Sequence, residues 1–69
     1  MRLSARNIIP GKVQKVTRGA TTSHVTLEVG GGVSITASIT NEAVDDLQLK
    51  AGDQAYAVIK ASDVMVAKD

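Results

Sequence analysis

The chain contains no cysteine, tryptophan or phenylalanine, and has one tyrosine, one histidine and one proline. The lack of cysteine excludes disulfides and thiolate metal sites, and it leaves the redox compartment open. With Tyr56 as its only aromatic residue, the chain has neither large rings to anchor a core nor the stacking platforms on which single-stranded nucleic acids are held. His24 stands alone, so there is no recognisable nucleophile–base pair, and a histidine metal site would need several copies brought together by symmetry. No enzymatic activity and no direct metal ligand are therefore expected. Nor is there a long apolar run: Met1-Arg2-Leu3-Ser4 could neither direct secretion nor enter a bilayer, which gives a cytoplasmic location by default. Net charge is +1 with acids and bases interspersed. Nothing marks nucleic acid or membrane as a partner, and any anion site must be local.

What is present is a 69-residue chain whose apolar residues are mainly Val, Ile, Leu and Ala. A chain of this size buries only about 60% of its unfolded surface, so its core is thin. Without disulfides or a structural metal, an oligomer that completes its core between subunits is favoured over a marginal monomer.

Strict alternation appears at Val25, Leu27 and Val29 and again at Val33, Ile35, Ala37 and Ile39, predicting two half-buried strands joined by a tight turn at Gly30-Gly31-Gly32. The glycines are not followed by the Lys-Ser/Thr of a phosphate loop. Pro10-Gly11 is expected to break the first segment. The strand that follows, Lys12 to Thr17, needs a bulge or bend to bring Val13 and Val16 to one side. Thr40 or Asn41 can cap a short helix carrying Glu42, Asp45 and Asp46, with Val44 and Leu47 inward. Those acids serve the helix dipole and water more readily than acid–base catalysis. Gln54 to Lys60 alternates with Tyr56, Val58 and Lys60 on one face, and a last strand is expected over Asp63 to Ala67. This order predicts an all-β chain, a small five-stranded OB-type barrel with one short helix between strands three and four, forming a single domain over residues 1–69.

Two short runs concentrate hydrogen-bond donors. Ser4-Ala5-Arg6-Asn7 offers a hydroxyl, backbone N–H groups, a guanidinium fork and an amide, while Lys60 and Ser62 add an ammonium and a second hydroxyl. Such a set suits a tetrahedral dianion, which accepts hydrogen bonds in every direction. Each residue also has a simpler role available: Arg6 as an edge charge, Ser4 and Asn7 as loop residues, Thr40 as a helix cap, Lys60 as a surface residue beside Tyr56.

Taken together, the Ser4-Ala5-Arg6-Asn7 run and the Ala57–Val66 segment resemble those of a Mop domain, with the likeness running from Leu3 to about Ala67. Chains made of a single such domain are the molbindins, binders of molybdate and tungstate. The resemblance implies oxyanion pockets between subunits of a homo-oligomer, expected as a hexamer built as a trimer of dimers. It implies pocket roles for Ser4, Ala5, Arg6, Asn7, Thr40 and Lys60, with Ser62 close by. It also implies a second kind of oxyanion pocket, for which Gly19, Ala20 and Thr22 in the Arg18–Thr22 loop are the candidates, through converging N–H groups and hydroxyls. An ordinary glycine-containing loop is the alternative there.

A donor-only pocket disfavours monohydrogen phosphate, whose proton needs an acceptor, and one shaped for long metal–oxygen bonds disfavours sulfate. The bound ligand implied is molybdate or tungstate, with no cofactor. Storage and homeostasis of the oxyanion is the expected function. The alternative is a molybdate-responsive effector or assembly module acting on a transporter or regulator. No attached nucleotide-binding or helix-turn-helix segment is evident, which favours storage.

Overall fold

The computed structural model describes residues 1–69. Four strands and two short helices follow in the order β1 (Asn7–Arg18), β2 (Thr22–Gly30), β3 (Val33–Thr40), α1 (Asn41–Leu47), β4 (Gln54–Ile59) and the 3-10 turn η1 (Ala61–Asp63). All neighbouring strands are antiparallel, in the spatial order β3-β2-β1-β4.

Strand β1 is the spine. Its first half, Asn7 to Lys12, pairs with β4, and its second half, Lys12 to Arg18, pairs with β2. The expected break at Pro10-Gly11 does not occur. Along that half β1 has a neighbour on one side only, so a residue without an N–H is accommodated. Gly11 marks the crossover, where a Cβ would lie 2.9 Å from the Glu28 carbonyl oxygen and 3.1 Å from Val29 Cγ1. The bulge that the spacing of Val13 and Val16 requires is present between Val13 and Lys15. It sets Val13 opposite Leu27 and Val16 opposite Val25, returning both valines to the inner face.

The β2–β3 turn is made by Gly31 and Gly32 at φ of 61° and 76°, the left-handed pair that matches strand twist. Helix α1 is capped by Thr40, whose Oγ1 accepts from the Ala43 N–H at 3.0 Å. The loop after α1 is anchored to the β1 bulge: Val13 N–H donates to the Asp53 carbonyl and Gly52 N–H to that of Val13, both at 2.8 Å.

The core consists of Val13, Val25, Leu27, Val44 and Ala57. It is as thin as the composition implies, and it lies between the sheet and α1, which contributes Val44. Two expectations are corrected here. Residues 63–67 form no fifth strand: the chain turns through η1 and leaves Val64, Met65 and Val66 exposed. The apolar run Val64-Met65-Val66 is too short to secure a strand by itself. The sheet is consequently open, OB-like but not a closed five-stranded barrel, with β3 and β4 as its two edges. Between them lies an apolar groove of about 760 Å³ whose lining includes Leu27, Ile35, Ile39, Leu49, Ala55 and Ile59. The second correction is Leu47, which is 65% exposed: it lines this groove, but nothing in the chain covers it. On β4 the face carrying Tyr56 and Val58 is the exposed one, and Ala55, Ala57 and Ile59 point inward. No helix is long and apolar enough to cross a membrane.

Candidate functional site

The two donor runs meet because β1 begins where β4 ends. Asn7 is paired with Ile59, and its side-chain amide donates to the Ile59 carbonyl at 3.2 Å. That bond fixes Asn7 beside the point where the chain leaves β4 at Lys60. Lys60 is extended (φ −61°, ψ 139°) and opens η1, which carries Ser62. Ser4, Arg6, Lys60 and Ser62 are exposed, and Ala5 and Asn7 half-buried. The ion pairs of the chain join Arg18 to Asp45 and Lys50 to Asp53, so the cations of Arg6 and Lys60 are committed to no carboxylate. Asp63, the acid nearest in sequence, takes part in neither pair; its backbone N–H donates to the Lys60 carbonyl at 2.9 Å. An uncommitted guanidinium and ammonium, flanked by hydroxyl and amide donors at one end of the sheet, can bind a small anion.

Thr40 lies elsewhere. It is paired with Thr22, and Arg18 with Ser23, which puts Thr40 at the far end of the 12-residue strand β1 from Asn7. A single protomer thus places Asn7, at the end of the Ser4–Asn7 run, next to the Ile59–Lys60 end of β4, and groups Thr40 with the Gly19 loop instead.

That loop forms a second, separate feature. Thr17, Arg18, Gly19, Thr22 and His24 line a depression of about 290 Å³ with no apolar residue among them. Gly19 N–H donates to the Thr22 carbonyl at 2.7 Å, closing the loop tightly. Ala20 is exposed in the same turn but is not part of the lining. Asn41 organises the region: its side-chain amide donates to the Gly19 carbonyl at 3.0 Å, its backbone N–H donates to the Thr21 carbonyl at 2.9 Å, and its Oδ1 accepts from the hydroxyl of Ser23. Ser23 is fully buried, so this bond satisfies a polar group that would otherwise be costly. Arg18 grips Asp45 of α1 in a bidentate pair, Nη1–Oδ1 at 2.8 Å and Nη2–Oδ2 at 3.3 Å. The hydrogen bond, then the charge of the partner, raises the Arg18 guanidinium above its ordinary value; the same hydrogen bond lowers the Asp45 carboxyl.

The contributions of Asn41, Asp45, Thr17 and His24 were not legible as site chemistry in the sequence. Asn41 reads there as a helix cap, and Asp45 as a dipole-serving acid. The β1–β2 register, which pairs Thr17 with His24, and the side-chain bonds of Asn41 to Gly19 and of Asp45 to Arg18 show that they surround one loop.

A model of the TOBE domain matches residues 3–66. Molybdenum-pterin-binding protein 3 of Clostridium pasteurianum is 44% identical over 66 residues, covering 96% of this chain and 97% of that protein. The molybdenum transport protein ModE of Herbaspirillum seropedicae is 54% identical over 65 residues, 94% of this chain but only 24% of the relative; the chain thus spans about a quarter of that longer protein. Among solved structures, a molybdate binding protein from Sporomusa ovata superimposes with a TM-score of 0.92 at 31% identity, covering 99% of this chain and 100% of the other.

Proposed function

The chain belongs to the TOBE domain family, and from that footing we propose that it binds molybdate or tungstate as a free oxyanion and serves to store it in the cytoplasm. The observation that carries this reading is the pairing of Asn7 with Ile59. It supports this reading by putting the end of the Ser4–Asn7 run beside the residue that precedes Lys60, and Arg6 and Lys60 form no ion pair with a carboxylate. In this reading Arg6 and Lys60 neutralise the dianion, and Ser4, Asn7 and Ser62, with the backbone at Ala5, supply neutral donors that fix its position. Full-length relatives named as molybdenum-pterin-binding proteins support the ligand class, as does the solved molybdate binding protein of the same fold.

Thr40 completes such a pocket only if it comes from a neighbouring copy, since within one protomer it lies at the opposite end of β1. A homo-oligomer, hexameric as a trimer of dimers, supplies that arrangement and covers the open apolar groove as well. The Gly19–Thr22 loop is the second oxyanion site of this reading. A second function, as a molybdate-responsive module acting on a regulator or transporter, is favoured by one observation: the high identity to a segment of the longer ModE protein.

Elemental analysis after dialysis against molybdate, tungstate and sulfate tests the proposal. Retention of molybdenum or tungsten in fixed ratio to protein, with little sulfate competition, is expected. Loss of both metals on dialysis would overturn it.

A further inference from the structure

The cations of the two donor clusters differ in one respect. Arg6 and Lys60 have no carboxylate partner, whereas Arg18, which lines the Gly19-loop depression, is already held through both terminal nitrogens by Asp45. Asp45 comes from α1 and is not part of the lining, which contains no acid of its own. Its charge therefore stands outside the depression and cancels much of the attraction that Arg18 offers to anything entering it.

We propose that Asp45 is a built-in counter-anion that keeps the Gly19-loop depression a weak oxyanion site, so that it fills at higher oxyanion concentration than the Arg6–Lys60 site. The proposal rests on the reading that this loop is the second oxyanion site. Of the five N–H donors of a guanidinium, Asp45 engages one on each terminal nitrogen, and the others remain available to an anion. The hydroxyls of Thr17 and Thr22 provide neutral donors around it, while the Gly19 N–H already donates to the Thr22 carbonyl. An arriving dianion is thus offered hydrogen bonds but little net charge. Its hold is set by the balance between Arg18, which attracts it, and Asp45, which repels it. A protein arranged in this way takes up oxyanion in two stages: a tight one on unpaired cations and a looser one on a cation it has partly neutralised.

The test is calorimetric titration of molybdate into ligand-free Arg6→Ala/Lys60→Ala protein, in which binding at the first site is disabled, with and without a further change at Asp45. A weak saturable phase is expected to remain in the double variant. Adding Asp45→Asn should tighten that phase by about threefold or more at low salt, as removal of a nearby like charge does. The gain should shrink toward nothing in about 1 M salt, where charges are screened within roughly 3 Å. Asp45→Glu should bind like the double variant, because it keeps the charge, and Asp45→Ser should repeat the gain should the asparagine variant fold poorly. Unchanged or weaker binding in both neutral variants would overturn the inference while leaving the second site intact. No residual binding in the double variant would instead remove the second site itself, and the inference with it.

Discussion

Removing the guanidinium of Arg6 or the ammonium of Lys60 takes a charge-assisted hydrogen bond from a desolvated dianion. Each alanine variant is therefore expected to weaken molybdate binding by about 2 kcal/mol, against about 1 kcal/mol for Ser4→Ala. Calorimetry on ligand-free protein measures this, and wild-type affinity in both cation variants would move the site away from this end of the sheet. Asn41 makes a different prediction. Its loss strands the buried hydroxyl of Ser23 and frees the Gly19 carbonyl, so Asn41→Ala should lower stability by about 2 kcal/mol in urea denaturation while sparing affinity at the Arg6–Lys60 site. The Arg18–Asp45 pair gives a pH dependence. The Asp45 carboxyl is lowered by its hydrogen bond to Arg18, so the pair's contribution is present above the ordinary carboxylate range and is lost as pH falls through the lowered value. Asp45→Asn should lower stability near neutral pH but not at acid pH, making the acid-side fall shallower, and only slightly, because the pair is exposed; an equal change at neutral and acid pH would contradict this assignment.

At the scale of elements, the sequence was most informative where period and punctuation agreed. The spacing of Val13 and Val16 demanded a bulge, and the registers to Leu27 and Val25 contain it. The triple glycine marked the β2–β3 turn, and Thr40 marked the helix start. It was least informative where the outcome depends on what lies alongside. Pro10 interrupts a strand only if both edges of that strand are paired, and here β1 has one neighbour at that point. Leu47 follows Val44 on the inner side of α1, yet burial needs an opposing surface that a seven-residue helix over an open sheet does not meet. The Val64–Val66 stretch is a short apolar run without a strand beside it. The most constrained point in these elements is Gly11, where any Cβ would press on the main chain of β2. Gly11→Ala should cost roughly 1–3 kcal/mol, seen as a lower urea midpoint with β1 loosened at the crossover; unchanged stability would mean that the two half-sheets can shift apart freely.

For the molecule as a whole, the thin core foretold by composition and the open groove between β3 and β4 have the same consequence. The inner face carries Leu27, Ile35, Ile39 and Leu49 around a cavity of about 760 Å³, an apolar groove that a second copy of the chain can cover. Of the candidate site, the sequence revealed the donor runs but not their division: the β1 registers alone separate Thr40 from Lys60. Both facts predict a stable oligomer by light scattering at micromolar concentration, with a higher melting temperature when molybdate is bound. A monodisperse monomer under both conditions would exclude a pocket shared between copies. The central claim, a donor-only site for a fully deprotonated oxyanion, is tested most directly by titrating molybdate into ligand-free protein in a large excess of phosphate. The account predicts saturable molybdate binding whose affinity phosphate barely reduces; displacement of molybdate by equimolar phosphate would show that the site contains an acceptor and contradict it.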